Sequence, residues 1–441
     1  MKGNTHCCLN VFITGLLIIK STVSVSVAQE QVELTLPRAV ANTVEWHPRI
    51  SQAISQLQQQ SQQITVARAG YYPEVSLGVR SGYDNAYPDS EFSQALVLSV
   101  SQMLYDFGKV ASEVKVSNAL VAQEKANLLL TIDQVIQEVM QAMIEVQRYQ
   151  QLEQIARLQL VGLQKVAALA QERFDKGATT LSEVVQSDSR VEGARSTLLQ
   201  YQAQLSRWRG TLAMLMGKAK IPSVSESFPD QPGTCDPDAS LQTTPGVLVA
   251  QAQKQEAQAR IDQTDTLLLP EITLDPSATH YIDNNPMAGI GRDKTQYAVA
   301  VNFSMPLDRG GAVKARQRGA TIALTGAQSL IRQAMLTAKQ QLLEGNNQQV
   351  SLQQNLDVLS RREELSKETR DLYRQQYLSL GTRPLLDLLN AEQEIHQAAM
   401  ARQNTISDLR KLQTQCLYHS GRLRQLFGVE GKVIQGVEIR P

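Results

Sequence analysis

Between Gly108 and Asp175 the apolar positions Val110, Val114, Leu120, Leu128, Ile132, Val135, Val139, Ile144, Leu152, Ile155 and Leu158 recur mostly at intervals of three, four or their multiples. Such spacing draws one apolar seam along a helix. Proline, which breaks helix interiors, is absent between Pro88 and Pro222, between Pro306 and Pro384, and from there until Pro441. The pattern predicts long helices over 108–175, 180–216, 311–379 and 384–427. The first would extend about 100 Å, far beyond a globular helix. Ala, Gln, Glu, Leu and Lys fill its other faces, as in helices held by side-by-side packing, and a cytoskeletal or adaptor-type coiled coil shares this periodicity.

Elsewhere the period drops to two. Val75, Leu77 and Val79 alternate with Ser76, Gly78 and Arg80, while Tyr297, Val299, Val301 and Phe303 alternate with Ala298, Ala300 and Asn302. Strands are expected near 75–83, 94–104, 271–282 and 295–305, joined by polar hairpin tips around Asp84 to Asp89 and Asn284 to Gly291. A strand of about 9–11 residues crosses a bilayer when tilted, so Tyr297, Val299, Val301 and Phe303 are candidates to face lipid. A soluble β-domain uses the same alternation.

The chain also repeats itself. Tyr72-Pro73-Glu74-Val75 matches Leu269-Pro270-Glu271-Ile272, Asp106 and Gly108 match Asp308 and Gly310, Gly177 matches Gly381, and Gly217 matches Gly428. Two structural repeats, 29–220 and 246–430, each run helix, strand, strand, very long helix, turn, helix. Residues 221–245, rich in Pro, Ser and Asp, form the linker, and 431–441 a tail.

Composition narrows the function classes. Forty-three basic residues balance 43 acidic ones, so no basic face speaks for a nucleic-acid partner. Lys2, the apolar stretch Val11 to Ile19 and Ser26-Val27-Ala28 read as a signal peptide over 1–28, which would carry Cys7 and Cys8 away. Beyond it no run approaches the roughly 20 apolar residues of a membrane helix, so membrane contact would have to be β-structure. Cys235 and Cys416 remain in an oxidising compartment, either bridged or as two buried thiols. Five scattered histidines, with no metal, phosphate or nucleophile motif, give an enzyme no footing. No catalytic, cofactor or metal residue is expected.

Four strands cannot close a membrane barrel, whose smallest examples have about eight, and an open edge is not tolerated in lipid. Several copies must therefore pool strands, most simply with cyclic symmetry. With these elements in place the sequence resembles the TolC family of outer-membrane channel proteins. The resemblance rests on the duplication, on Leu104-Tyr105-Asp106-Phe107-Gly108 and Pro306-Leu307-Asp308-Arg309-Gly310, and on the turns Phe174 to Gly177 and Gly381 to Ala391. It implies a mainly α fold with a small β component. It further implies a homotrimer with a twelve-stranded barrel in the outer membrane of a Gram-negative bacterium, continued by a periplasmic α-helical barrel. The implied partners are outer-membrane lipid, a periplasmic adaptor (membrane fusion protein) and an inner-membrane ABC transporter or other pump. The tip Leu385 to Glu392 and the segment Ser420-Gly421-Arg422-Leu423 look most like members serving type I secretion of large adhesins. Multidrug or metal efflux is the alternative within the family, and a periplasmic coiled-coil adaptor the alternative outside it.

The resemblance also assigns sites. Lys176, Gly177, Ala178 and Thr179 at one tip, with Leu380, Gly381 and Thr382 at the other, should meet the adaptor. Glu183, Arg383, Asp387, Asn390 and Tyr377 match positions that hold the periplasmic mouth shut. Two departures stand out: Asn390 replaces a carboxylate of the best-known member, and one residue more separates Tyr377 from Gly381. A plainer reading serves the same residues. Thr180 to Glu183 is a capping-box pattern, Pro384 suits a first helical position, and Arg383 and Asp387 have ordinary i,i+4 spacing.

Overall fold

The computed structural model describes residues 33–83, 92–228, 234–282, 294–381 and 383–440. The expected signal peptide, the hairpin tips around Asp84 to Asp89 and Asn284 to Gly291, and Thr382 lie outside the described residues. The elements run α1 (Leu36–Trp46), α2 (Pro48–Ala69), β1 (Glu74–Tyr83), β2 (Phe92–Tyr105), α3 (Lys109–Asp175) and α4 (Leu181–Leu215). The second half follows with α5 (Pro245–Asp265), β3 (Glu271–Tyr281), β4 (Thr295–Ser304), α6 (Ala312–Gln375), α7 (Leu385–His419) and α8 (Leu423–Leu426). Two short strands, β5 (Val433–Ile434) and β6 (Val437–Glu438), pair as a hairpin near the C-terminus.

Strand gives way to long helix through one device used twice. Asp106 accepts the N–H groups of Gly108 (2.9 Å) and Val110 (2.5 Å), satisfying donors that the first turn of α3 leaves without partners. Asp308 likewise accepts from Arg309 (2.8 Å) and Gly311 (3.3 Å) ahead of α6. Gly108 and Gly311 take φ of +95° and +77°, conformations that a Cβ would strain.

The four long strands form one antiparallel sheet in sequence order. Leu77 lies opposite Leu98, Leu98 opposite Ala278, and Ala278 opposite Tyr297, so one face is apolar from edge to edge. Tyr297, Val299, Val301 and Phe303 lie on this face, 65–81% exposed in the single chain. The opposite face is polar. There Asp275 accepts hydrogen bonds from Ser101 (2.5 Å), Thr273 (2.7 Å) and Asn302. β1 and β4 have no strand beyond them among the described residues.

In the half nearer the sheet, α3 and α6 flank α5, with α2 also against α3; farther away they flank α7, with α4 against α3. The main core surrounds the middle of α3, where Ile132, Ile136, Met140 and Met143 are at most 1% exposed beneath α1, α2 and the C-terminal segment. Arg424, fully buried, pairs there with the equally buried Asp133 and donates to the Thr243 carbonyl at 3.2 Å.

Two expectations need correction. The helix foreseen over 384–427 is interrupted: α7 ends at His419, and Gly421, at φ +70°, turns the chain around the connecting segment. A Cβ there would meet the Thr243 carbonyl oxygen at 2.4 Å. The helix foreseen over 311–379 is α-helical only to Gln375, after which Gln376–Leu380 form a π-helical turn. The tail 431–441 contains the β5–β6 hairpin, and Gln435 accepts from Ser51 of α2 at 2.7 Å. Cys235 and Cys416 are joined by a disulfide, with Cα atoms 5.0 Å apart. The bridge rests on Gly345 of α6, where a Cβ would lie 2.6 Å from the Cys416 sulfur.

Candidate gate and docking surface at the helical tips

Each helical hairpin ends in a turn closed by a glycine. After α3, Gly177 takes φ +71° and donates to the Phe174 carbonyl (2.8 Å), while Ala178 donates to that of Arg173 (2.8 Å). Orphan carbonyls of the last turn are satisfied this way, and Lys176, Gly177 and Ala178 are left exposed. Lys176 pairs with Glu172 at 2.5 Å. At the other tip Leu380 ends the π-helical turn, and Gly381, exposed, takes φ +62°.

Counted from these glycines, Thr179 and Arg383 hold the second position and Glu183 and Asp387 the sixth. The structure links both pairs. The Thr179 hydroxyl donates to the Glu183 carboxylate, and Arg383 Nη1 donates to Asp387 Oδ2 at 3.1 Å. The capping box expected at Thr180 does not form: its hydroxyl meets Ser182 at 2.8 Å, and Glu183 is taken by Thr179. Pro384 sits one place before the first helical residue of α7.

Arg383 holds the start of α7 against the end of α6. Its Nε donates to Gln376 Oε1 at 2.9 Å and its guanidinium lies 4.4 Å from the centre of the Tyr373 ring. Within one chain it makes no ion pair with Glu183 among the described residues. Asp387 and Asn390 share its stripe of α7, at i+4 and i+7, whereas Leu385, Leu388 and Leu389 turn inward. Asn390 Oδ1 accepts from Arg190 of α4 at 3.3 Å, and the same guanidinium donates to Gln393 at 2.7 Å. One cation therefore ties α4 to α7.

Tyr377 is 3% exposed, in the core between α3, α4 and α7. The π-helical turn takes up the extra residue before Gly381, since a π turn holds more residues than an α turn. Arg173 donates to the Tyr377 carbonyl at 3.0 Å and its guanidinium lies 4.5 Å from the ring centre. Burial pushes the phenol pKa up, and its Oη has no hydrogen-bond partner among the described residues. Sequence reasoning missed Arg173 and Arg190. Arg173 had a signal, because it stands four residues before Gly177 as Tyr377 stands four before Gly381. Arg190 had none; it reads as an ordinary exposed arginine on a helix.

A two-faced antiparallel sheet, continuous with helices of 67 and 64 residues, defines a subunit of an outer-membrane channel with a long periplasmic part. The sequence model of the family described as "Outer membrane efflux protein" matches residues 26–218 and 237–428, and the chain belongs to this family. It is an outer-membrane component of tripartite export and not an enzyme. Among curated relatives it is similar to the pyoverdine export outer membrane protein OpmQ of Pseudomonas aeruginosa, at 24% identity over 83% of this chain and 80% of that one. Among solved structures it is similar to the outer membrane protein VceC of Vibrio cholerae, with 16% identity and a TM-score of 0.74 over 88% of this chain and 96% of that one. The Campylobacter jejuni CmeC outer membrane channel gives a TM-score of 0.74 at 14% identity, over 92% and 87% of the two chains.

Proposed function

We propose that three copies form a closed duct through the outer membrane and across much of the periplasm. The observation that carries this reading is the pair of open sheet edges, β1 and β4, on a sheet whose one face carries an apolar band from edge to edge. In lipid those edges need partners, and neighbouring copies supply them, pooling twelve strands with Tyr297, Val299, Val301 and Phe303 toward lipid. A seam on α6 supports it. Leu336, Leu343 and Val350, then Val358, Leu365 and Leu372, recur at mostly seven-residue intervals and are 44–68% exposed, the pattern of a helix awaiting a neighbour. The stripes bearing Glu183, Arg383, Asp387 and Asn390 would then ring the periplasmic mouth, with Tyr377 and Arg173 packed behind them. The tips at Lys176 to Thr179 and Leu380 to Thr382 would meet a periplasmic adaptor that couples the duct to an inner-membrane pump. The test is reconstitution: a heat-modifiable trimer that conducts in planar bilayers supports the reading, and a soluble monomer overturns it.

Within that role the substrate is a protein such as a large adhesin, exported by type I secretion through an ABC transporter. The resemblance of the Leu385 to Glu392 tip to secretion members supports this. The name of OpmQ, which speaks of pyoverdine export, favours small-molecule efflux as the second reading. A deletion strain decides: loss of a large polypeptide from the medium supports secretion, and heightened sensitivity to small toxic compounds with an unchanged medium supports efflux.

A further inference from the structure

Well above the tips, a cavity of about 340 Å³ lies between α3, α6 and α7. Its position on α7 is set by Glu392 and His396, on the side away from Arg383, Asp387 and Asn390, because two residues along a helix turn it by about 200°. The exposed seam of α6 also points elsewhere. Leu365 and Leu372 lie nearly opposite Arg370 and Arg374 around that helix, so the neighbour that covers the seam leaves the cavity open. In the proposed duct the cavity faces the periplasm.

The floor of this cavity is built around a buried charge. Glu392 is 5% exposed, and its carboxylate meets His396 Nε2 and Arg370 Nη1, each at 3.5 Å. A Cβ on residue 162 of α3 would come within 1.9 Å of Glu392 Oε1, so Gly162 is what makes room for the carboxylate. Burial would push the Glu392 carboxyl up, but His396 and Arg370 outweigh it and hold the group below its ordinary value, ionised. Glu392 is thus matched from within the protein. The walls are not. Lys165 of α3 and Arg374 of α6 line the cavity from two different helices, and neither has a carboxylate partner among the described residues. Leu158 and Val161 line it as well, 57% and 42% exposed.

We propose that this cavity is a binding site for a small amphipathic organic anion, whose carboxylate or phosphate sits between Lys165 and Arg374 and whose apolar body lies on Leu158 and Val161. Two unmatched cations on different helices, each exposed to solvent, favour an anion between them. An occupant bridging α3 and α6 across α7 would couple the two hairpins of one chain. The site stands on the geometry of a single chain, so its failure and that of the gate are read separately.

The experiment is fluorine NMR of para-trifluoromethylbenzoate added to the full-length protein in lipid nanodiscs. Saturable binding is expected, weakening as salt rises and falling about tenfold or more in Lys165→Gln/Arg374→Gln. The uncharged para-trifluoromethylbenzamide should not compete, and para-trifluoromethylphenyl phosphate in parallel shows which head group is preferred. Leu158→Trp, which fills the apolar part and leaves both cations, is the second block. Heat-modifiable migration confirms that each variant is assembled. Equal binding by wild type and the double variant, equal binding of amide and benzoate, or no saturable binding of either anion overturns the proposal.

Discussion

Arg383 is an unusual place to look for a latch, because its links to Asp387, Gln376 and Tyr373 all lie within one helical hairpin. An exposed ion pair of this kind is worth only about 0–1 kcal/mol, so it orients the guanidinium more than it stabilises the fold. Repeated around the proposed ring, such weak links would yield when a partner binds. Arg383→Ser with Glu183→Ala should therefore leave folding and assembly intact and raise single-channel conductance in planar bilayers; unchanged conductance would make these residues turn-formers only. Asp387→Ala should weaken cation preference or block by multivalent cations. A different residue governs stability. Burial pushes the Asp133 carboxyl up to about 7, against the opposing pull of Arg424. Asp133 holds its proton more tightly folded than unfolded, so its contribution is full below the ordinary carboxylate value and is lost as pH rises through about 7. The unfolding temperature should fall across that window in the wild type and less steeply in Asp133→Asn. Arg424→Ala, which takes the buried partner from Asp133 and leaves the space of a fully buried side chain empty, should cost about 3–5 kcal/mol.

Helices and strands were legible wherever a long period had room to show itself. The seam of α3, the alternation of Val75 to Val79 and of Tyr297 to Phe303, and the paired aspartates before α3 and α6 all describe local geometry, which local sequence encodes. What escaped depends on distant chain. The break at Gly421 is imposed by the Thr243 carbonyl, and the Asp133–Arg424 pair joins residues 291 apart. The candidate gate was legible as positions but not as contacts: Arg190 gains its meaning from Asn390, 200 residues later. At this scale the sheet makes a sided prediction. Arg at Val299 should cost about 2–4 kcal/mol if it must sit in lipid, whereas Arg at Ala300, on the face that carries Asp275, should be tolerated. Equal damage at both positions in a refolding titration would overturn the assignment of the lipid-facing side.

For the whole molecule, docking at the tips is checked by crosslinking. Cysteine at the exposed Ala178 should couple to the adaptor in cells, and failure there and at Lys176 would move the docking surface elsewhere. Cys235 and Cys416 do not interfere, being joined to each other. Their bridge spans 181 residues and encloses nearly all of the second repeat in a covalent ring. Closing so long a loop removes unfolded-state freedom worth about 5 kcal/mol in the chain-entropy picture. It also sets an order of events during biogenesis. The ring cannot close until Cys416 has crossed the inner membrane, so the oxidising machinery of the periplasm closes it only after the first long hairpin and nearly all of the second have arrived. A protease cut within α6 would then leave one molecule on a non-reducing gel and two fragments on a reducing one, and a strain lacking thiol oxidation should accumulate chains that fall apart at that cut.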